Sequence, residues 1–478
     1  MPRVLRRLFP VAGLTLTLPL VFVLDACRFG YGGLGTGNAI TGGEGGNAAS
    51  SAAAGSAGIA SGTGGGGASK AGMAGIDDTA GAAGDSGGAG ADTAGTAGAG
   101  STSGTAGSSG TSGTAGNGGS GGTGGKAGSG GTAGAGGGSG TGGVDLVNLV
   151  VTTAADEADS GATPASPGQT GFSLREAITF ANGQVGHQAI TFDAAVTTIG
   201  LKAPLPVVQE TLDIKGSVEL DATANTQTSA CLSVASSDVH LEALEIHHCQ
   251  GEPVRFSSST STGNELKNSY IHDNKKAVVV YGDGALVSGC LITFSAAAGL
   301  DIYGSNAQLQ ANDVAASLGT NYSIHDGANG ASLLANVSIG GGDGIGLGAI
   351  TGITIWHSTI VDSVYAGLNV GTATQVDARN NIFIGADTYG VRGADSAFTK
   401  LDHNLYFNNT SGNRNSGSLD ATSVIGDPLF NDPTNFDYSL KVGSPAINKG
   451  ADLGVDRNGS SSGLYNGSAP DIGWSEAP

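Results

Sequence analysis

Residues 286–302, LVSGCLITFSAAAGLDI, contain a set of apolar positions that recurs along the second half of this 478-residue chain. The central position is Ile292, and the anchors equivalent to it lie 21–25 residues apart. These anchors are Ile246, Ile271, Ile292, Val314, Val337, Ile360, Ile382 and Leu405. Such regular spacing matches one coil of a β-solenoid, in which each repeat packs against its neighbours.

Two further apolar positions accompany each anchor, one about five residues before it and one nine or ten residues after it. The earlier positions are Leu241, Leu266, Leu286, Leu309, Leu333, Ile355, Val376 and Leu401. The later positions are Phe256, Val280, Ile302, Ile324, Leu347, Val370 and Val391. Three apolar points per coil, in short stretches rich in Val and Ile, predict the inward residues of three short strands.

A corner of the coil is predicted three residues before each later apolar position. The residues there are Pro253, Ala277, Gly299, Asn321, Gly344 and Gly367. Most of these residue types tolerate the dihedral angles of a tight turn. Equivalent residues of neighbouring coils are then expected to stack in parallel sheets at a spacing of about 4.8 Å.

The N-terminus is typical of a bacterial export signal. Three arginines precede an apolar run over residues 11–23, which is short for a membrane span. The tetrapeptide LDAC at residues 24–27 resembles the lipobox of bacterial lipoproteins, in which the cysteine is lipidated. We therefore expect residues 1–27 to be a signal peptide and Cys27 to carry a lipid anchor, with simple cleavage and secretion as the alternative. Arg28 stands where an Asp favours inner-membrane retention in many bacteria, so the outer membrane is the expected location.

Residues 28–143 consist almost only of Gly, Ala, Ser and Thr. Such a segment buries too little apolar surface to offset its ordering entropy, so a disordered tether is expected. Residues 1–143 carry six basic and six acidic side chains, and the net charge of −20 therefore falls on residues 144–478. So acidic a domain repels phosphate backbones and anionic lipid, which argues against nucleic acid as a partner.

Three cysteines other than Cys27 are present: Cys231, Cys249 and Cys290. An odd number cannot all pair, although an exported protein is free to form disulfides. Cys249 follows its anchor and Cys290 precedes an anchor two coils further on, which places these two poorly for pairing. All three are interpreted as buried thiols that pack among the coils. No Cys–His spacing typical of a zinc site is present.

Residues 172–178, FSLREAI, predict a helix start. Ser173 and Glu176 are spaced as a capping box, and Phe172 lies where it can staple against Ala177. An apolar stripe follows and ends at residues 182–183, Asn-Gly. We expect this helix to close the N-terminal end of the solenoid, whose open end would otherwise expose strand edges.

Several short segments carry a resemblance to a known family. At the N-terminal end these are VVTT at 150–153, SLREAI at 173–178 and ITF at 190–192; at the C-terminal end they are GDPLF at 426–430, GSPAINKG at 443–450 and PDIGW at 470–474. They resemble bacterial surface proteins named for a Cys-Ser-Leu-Arg-Glu-Ala motif, with Phe172 in place of the Cys. These are similar to the right-handed parallel β-helix proteins of choice-of-anchor type. The resemblance implies fold and envelope location and supplies no catalytic motif.

One candidate binding site follows from strand alternation, because the residue after an inward position faces outward. On three consecutive coils these outward residues are Tyr281, Tyr303 and His325, which are expected to form an exposed column of rings. Beside them lie Arg255, Asp301, Asp283 and Asp326. Stacked rings can contact sugars while the charged groups bind hydroxyls. The alternative is that the rings only strengthen ladder packing along the sheet.

A second column consists of His247 above His272, with His248 aligned to Asp273. Two imidazoles and a carboxylate on neighbouring rungs suit metal binding or proton transfer. Lys275 and Lys276 follow at the next corner and make the weak catalytic candidate of a lyase, in which Lys abstracts a proton. The same residues are also explained as solvated polar groups at a corner.

Two strings have oxygen ligands around glycine turns. One contains Asp452, Asp456 and Asn458, and the other is GGGDG at residues 340–344. The first departs from an EF-hand loop and the second occurs once, so turn chemistry explains both. Calcium stays a weak candidate, and no cofactor is predicted.

The sequence therefore predicts an all-β protein: a single-stranded right-handed parallel β-helix with a short N-terminal capping helix, preceded by a long disordered Gly/Ala/Ser/Thr tether. The domain covers residues 144–478, with a cap at about 147–192, coils at about 193–410 and a C-terminal cap at about 411–478. We expect a monomeric cell-envelope lipoprotein that contacts the membrane only through its lipid and presents its surface to extracellular or envelope polysaccharide, for adhesion or glycan contact. The alternatives are a polysaccharide lyase or hydrolase and a passive structural spacer.

Overall fold

The computed structural model describes residues 147–457 and 464–477. They form a right-handed parallel β-solenoid of about ten coils, as the apolar spacing predicted. The signal peptide, Cys27, the tether and Asn458 lie outside the described residues. No helix within the described part of the chain is long and apolar enough to cross a membrane.

Most coils contribute one strand to each of three parallel faces, which we call sheets 1, 2 and 3; two long strands join sheets 1 and 2 into one hydrogen-bonded sheet. Sheet 1 contains Val147–Val151, Gln188–Phe192, the first halves of Leu212–Asp221 and His240–His247, then Glu265–Lys267, Leu286–Ser288, Gln308–Gln310, Ser332–Leu334, Thr354–Trp356, Val376–Arg379 and Phe398–Asp402. Sheet 2 contains Thr198–Gly200, the second halves of the two long strands, then Tyr270–His272, Leu291–Thr293, Asp313–Ala315, Val337–Ile339, Thr359–Val361, Ile382–Ile384, Leu405–Phe407 and Val424–Ile425.

Sheet 3 forms the remaining face of the solenoid. Its strands are Leu232–Val234, Val254–Phe256, Val278–Val280, Leu300–Ile302, Tyr322–Ile324, Ile345–Leu347, Leu368–Asn369, Tyr389–Arg392 and Gly412–Arg414. An antiparallel hairpin of Phe430–Asp432 with Asp437–Leu440 lies outside the coils and has the 3₁₀ turn Pro433–Asn435 between its strands. A second 3₁₀ turn, Asp395–Ala397, connects a strand of sheet 3 to the next strand of sheet 1.

The corners next to sheets 1 and 2 are built on residues in the left-handed region. Between sheets 1 and 2 they are Ala243, Asn268, Gly289, Ala311, Ala335, His357, Asn380 and His403, and after sheet 2 they are His248, Asp273, Phe294, Ala316, Gly340, Asp362, Gly385 and Asn408. Repetition of one strained residue per corner sharpens the turn at the same place on every coil.

The corner before sheet 3 lies where the sequence predicted it, but the predicted reason, tolerance of unusual dihedral angles, was wrong for its glycines. Gly299 and Gly344 precede sheet 3 strands and do not have positive φ. A Cβ atom on Gly299 would instead collide with the side chain of Val314, and one on Gly344 with that of Ile360. Glycine is therefore needed there for close packing between the corner and the interior.

The anchor positions are confirmed for five of the eight coils. Ile246, Ile271, Ile292 and Val314 stack in register, and Ile360 continues the same inward column. The anchors Val337, Ile382 and Leu405 were wrong by one residue, since the inward positions there are Ser338, Phe383 and Tyr406. At the earlier apolar position, the inward residues of two coils are Val287 and Ala378, where Leu286 and Val376 were predicted. At the later position, Val391 is out of the predicted register, because it pairs with Leu368.

The one-residue error has a physical cause in the C-terminal segment. Val337, Ile382 and Leu405 face out of sheet 2 and are nonetheless buried. A separate apolar cluster covers them, to which the C-terminal segment contributes Phe430, Tyr438, Leu440, Ala446 and Ile472. Because the outward face of these strands is as apolar as the inward face, and more apolar at Ser338, hydrophobic alternation does not identify the inward residue.

The N-terminal helix, α1 (Leu174–Ala181), has the predicted capping box. The Ser173 hydroxyl accepts a hydrogen bond from the amide of Glu176, and the Glu176 carboxylate accepts one from the amide of Ser173. Its apolar side packs against the first two strands of sheet 1 and is buried in the main core.

An internal polar ladder was not anticipated from the sequence. It follows the corner between sheets 1 and 2 and includes Asn312, Asn336, Asn381 and Asn404, all buried. Asn336 Nδ2 donates to the Leu309 carbonyl at 2.7 Å, while its Oδ1 accepts from the Asn312 amide at 3.0 Å. Each asparagine thus satisfies backbone groups of an adjacent coil.

The interpretation of the three cysteines as thiols was wrong for two of them. Cys231 and Cys249 form a disulfide, with their Cα atoms 6.1 Å apart. Cys290 is a buried thiol, and burial raises its pKa to about 12. The pairing could not be inferred from coil spacing, because Cys231 lies before the first predicted anchor.

Candidate functional site

The rings of Tyr281, Tyr303 and His325 lie one above another directly after three consecutive strands of sheet 3. The centroids of Tyr281 and Tyr303 are 4.7 Å apart, and those of Tyr303 and His325 are 4.0 Å apart with planes within 5°. We call these three residues the ring column. The residues that follow the strands of the coils on either side are Ser257 and Gly348. Both of these residues are small, so neither adds a further ring to the column.

The rings in this column use their faces to contact one another. The guanidinium of Arg255 lies 5.1 Å from the Tyr281 centroid, so that it covers the outer face of the first ring. The edges of the rings, rather than their faces, are therefore presented to solvent, and Tyr303 is 36% exposed. Burial, with a smaller contribution from the charge of Asp301, raises the pKa of the Tyr303 hydroxyl, which stays a hydrogen-bond donor at neutral pH.

The carboxylates near the column have different partners. Asp301 Oδ1 lies 2.9 Å from His325 Nε2 and fixes that ring. Asp283 Oδ1 accepts the Ser305 amide at 2.8 Å, and Asp326 Oδ1 accepts the Ala349 amide at 2.6 Å. The latter two therefore tie one coil to the next, whereas Arg255 and Asp301 belong to the outward surface of sheet 3.

The second predicted column also exists as a contact. The imidazoles of His247 and His272 are stacked on adjacent rungs of sheet 2, with centroids 4.7 Å apart and planes within 15°. The Tyr270 ring stacks on His272 at 4.1 Å. His247 is 6% exposed, which makes it the most buried residue of the group. The alternation of sheet 2 places these side chains on its outward face.

Carboxylates approach both histidines from the same side. Glu219 Oε1 lies 2.8 Å from His247 Nε2, and Glu245 Oε1 lies 3.2 Å from His272 Nε2. Asp273 Oδ2 lies 2.8 Å from the other nitrogen of His272. Burial lowers the pKa of His272, but hydrogen bonds to Glu245 and Asp273 outweigh it, so that the pKa is raised overall.

A neighbouring pair extends this group at the corner. Asp221 Oδ1 lies 3.1 Å from His248 Nδ1, and His248 Nδ1 lies 2.7 Å from His247 Nδ1. Burial raises the pKa of Asp221, but hydrogen bonds from Thr223 and His248 lower it to about 2. We call Glu219, Asp221, Glu245, His247, His248, His272 and Asp273 the histidine–carboxylate cluster.

A cavity of about 150 Å³ opens beside the histidine–carboxylate cluster. Glu219, Glu245 and Tyr270 contribute to its wall. Charged side chains thus converge on a small concave site.

The two lysines predicted to act with this column are not gathered into it. Lys275 and Lys276 are exposed and lie past the corner after sheet 2. The ammonium group of Lys276 lies 3.3 Å from Glu252 Oε1. The structure thus brings His247, His272 and Asp273 together and pairs Lys276 with a carboxylate elsewhere.

A third group of ionisable residues escaped the sequence analysis. Asp213 Oδ1 lies 2.9 Å from His187 Nε2 and 2.8 Å from His240 Nδ1, while Lys215 Nζ lies 2.9 Å from Asp213 Oδ2. Burial raises the pKa of Asp213, but hydrogen bonds from Lys215 and His187 lower it overall. The sequence signal for this group is the alignment of Asp213 with His240 on neighbouring strands of sheet 1. That alignment can be recognised only when the register of the two long strands is known.

Asp452 and Asp343, one from each calcium candidate, accept hydrogen bonds from nearby groups of the protein. Asp452 Oδ1 accepts the Gly454 amide at 2.9 Å, and Asp343 accepts bonds from the Ala366 amide and the Asn369 side chain. Within the described ranges, no group of three or more ligating side chains contains Asp343, Asp452 or Asp456.

Comparison with known proteins identifies the fold. The family model described as "Right handed beta helix region" matches residues 215–316 and 276–427. The structure of pectate lyase Pel9A has a TM-score of 0.50 and 14% identity, covering 70% of this chain and 98% of that chain. No curated protein sequence matches this chain significantly.

Two other solved structures are similar over part of the chain. The catalytic domain of a GH87 α-1,3-glucanase has a TM-score of 0.35 and 12% identity, covering 59% of this chain and 68% of that chain. The A-module of the Azotobacter vinelandii mannuronan C-5 epimerase AlgE4 has a TM-score of 0.31 and 13% identity, covering 53% and 93% respectively. At 14% identity, the likeness to pectate lyase Pel9A concerns the fold alone.

Proposed function

We propose that this β-helix protein is a cell-envelope lipoprotein that contacts polysaccharide along the ring column. The observation that carries the proposal is the stack of Tyr281, Tyr303 and His325, whose edges and hydroxyls lie in one line on an outward surface. Tyr side chains present an apolar body and a polar tip, which suits the mixed surface of a sugar.

The charge of the domain narrows the class of polysaccharide. A net charge of −20 disfavours polyanionic chains and favours neutral or cationic ones. Arg255 and Asp301 flank the column and offer a donor and an acceptor to hydroxyl groups. The likeness to pectate lyase Pel9A, whose name describes action on a polysaccharide, supports the fold, and the proposal rests on the residues of the column.

The test is a binding screen of the purified protein against neutral glucans, cationic amino-sugar polymers and uronate polymers. Replacing both Tyr281 and Tyr303 by Ala is expected to weaken binding by about 1–3 kcal/mol, as for hot-spot residues. Replacing both by Phe preserves the stack and removes the hydroxyls, so it separates hydroxyl contact from ring contact. Tyr365→Ala is the matched control, because Tyr365 is 59% exposed and lies outside the column.

The proposal fails if a polysaccharide ligand is found and the double Ala variant binds it as tightly as the wild type. The envelope location needs a separate test at Cys27, which lies in the lipobox-like tetrapeptide. Labelled fatty acid is expected to enter the wild-type protein and not Cys27→Ser. Equal labelling of both proteins would contradict the anchor while leaving the polysaccharide proposal intact.

A second candidate function is polysaccharide cleavage, and the cavity beside Glu219, Glu245 and Tyr270 favours it. Paired carboxylates and a histidine are suitable general acids and bases. The same screen tests it by product analysis, because an enzyme shortens the polymer and a binder only retains it. A passive spacer would do neither.

A further inference from the structure

We propose that the histidine–carboxylate cluster on sheet 2 binds one zinc ion. The ligands are one ring nitrogen each of His247 and His272 and a carboxylate oxygen of Glu245. The potential ligand atoms of His247, His272 and Glu245 all lie within 4.8 Å of one another. This proposal is independent of the polysaccharide proposal, because the ring column lies on sheet 3.

The distances within the cluster are close to those of a zinc site. Zinc bonds of about 2.0–2.2 Å to nitrogen and oxygen place two tetrahedral ligand atoms roughly 3.3 Å apart. The His247 Nε2 to Glu219 and His272 Nε2 to Glu245 distances are 2.8 Å and 3.2 Å. The stacked rings are 4.7 Å apart at their centroids, so binding requires only that their Nε2 edges tilt toward each other.

The surroundings of His272 orient it as a ligand. Asp273 Oδ2 lies 2.8 Å from Nδ1, where it accepts a hydrogen bond and directs the lone pair of the neutral ring to Nε2. In the neutral ring that lone pair faces a carboxylate oxygen of Glu245 3.2 Å away, where a metal ion can take the place of the proton that otherwise joins the two atoms. A carboxylate behind a ligating histidine is a recurrent arrangement in zinc proteins.

The local charge favours a divalent cation at this cluster. Among the described residues, Glu219, Asp221, Glu245 and Asp273 form ion pairs only with histidines. In the group on sheet 1, Lys215 already neutralises Asp213. Imidazole together with carboxylate suits zinc, whereas calcium prefers oxygen ligands alone. The adjacent cavity leaves room for a water or a solute oxygen to complete the coordination.

The experiment measures zinc binding by the full chain purified without a histidine tag, by calorimetry and by elemental analysis after dialysis. The wild type is expected to bind one equivalent. His247→Asn combined with His272→Asn should lower the affinity at least 100-fold. Asp273→Asn should lower it about 10- to 100-fold, as for other residues that orient a ligating histidine. Cobalt substitution gives a second readout, since tetrahedral Co²⁺ has strong visible absorption that the double variant should lack.

The matched control is His187→Asn combined with His240→Asn, which removes two histidines from the other cluster. It should bind zinc as the wild type does. If the double histidine variant melts early, Glu245→Gln still tests the proposal, because the Glu245 side chain is 35% exposed and its replacement should leave the fold intact. This variant should bind zinc at least 10-fold more weakly than the wild type. The proposal is overturned if the wild type binds no zinc, if the double variant at His247 and His272 binds it fully, or if only the control variant loses it.

Discussion

Asn380 joins the buried imidazole of His357 to the C-terminal segment. Its Nδ2 donates to His357 Nε2 at 2.9 Å and to the Ala451 carbonyl at 2.8 Å, and its Oδ1 accepts from the Ala451 amide at 2.8 Å. Because Nε2 accepts a hydrogen bond, the His357 ring is neutral in this arrangement. The docking of the C-terminal segment onto the coils therefore depends on an uncharged histidine that is only 1% exposed.

We predict that the protein loses stability as the pH falls below 6.5, because the unfolded chain can protonate His357 and the folded chain holds it neutral. Burial, reinforced by the charge of Arg457, lowers the pKa of His357 from 6.5 to about 3. The unfolded chain therefore takes up a proton below pH 6.5 that the folded chain refuses until about pH 3. This contribution is complete above pH 6.5 and falls by about 1.4 kcal/mol for each pH unit below it.

The measurement is urea unfolding between pH 7 and pH 4, compared with His357→Asn. Asn keeps an acceptor and tolerates the positive φ of this position, but it does not titrate. The variant should have a lower stability at pH 7 and a shallower dependence on pH. Identical slopes in the two proteins would contradict a neutral buried imidazole.

Replacing Asn336 by Ala is predicted to lower the free energy of unfolding by about 1–3 kcal/mol. The change removes the buried partners of the Leu309 carbonyl and of the Asn312 backbone amide. Chemical denaturation provides the measurement. Asn415→Ala is a suitable comparison, since that side chain bonds the Gly393 amide at an exposed site and its loss should cost less. Equal costs would show that burial of the ladder adds nothing.

Removing the disulfide by Cys231→Ser and Cys249→Ser is predicted to lower the stability by about 3 kcal/mol. The bridge closes a loop of 18 residues, and its loss restores that freedom to the unfolded chain. Thermal unfolding of the oxidised wild type and of the variant gives the comparison. With Cys27 replaced by Ser, one thiol should react in denaturant, namely Cys290. Three reactive thiols would mean that the bridge does not form.

Ile292→Ala and Ile382→Ala are predicted to destabilise different parts of the molecule. Each removes a buried side chain at a cost of about 2–5 kcal/mol. Ile292 lies in the interior of the solenoid, whereas Ile382 lies under the C-terminal segment. Limited proteolysis should therefore cut within residues 427–477 sooner in Ile382→Ala than in Ile292→Ala. Earlier cleavage there in Ile292→Ala than in Ile382→Ala would contradict this placement of Ile382 and support its predicted role as an inward anchor.

The ring column and the two stacked histidines were predictable because they depend only on local rules. Side chains alternate along a strand, and a constant coil length brings equivalent positions together. Tyr281, Tyr303 and His325 follow three inward positions that were assigned correctly. The carboxylates Glu219 and Glu245 were missed, since they oppose the histidines only through the pairing of the two long strands.

The coil repeat, the capping helix and the outward columns of the central coils could be predicted from the chain alone, because each depends on the spacing of apolar and polar residues. The register at Val337, Ile382 and Leu405, the Cys231–Cys249 bridge and the contact between His187, Asp213 and His240 became known only from the folded structure. These features depend on segments that meet across coils or fold back over them. Coil length varies by several residues, and a one-residue difference moves a side chain to the opposite face of its sheet.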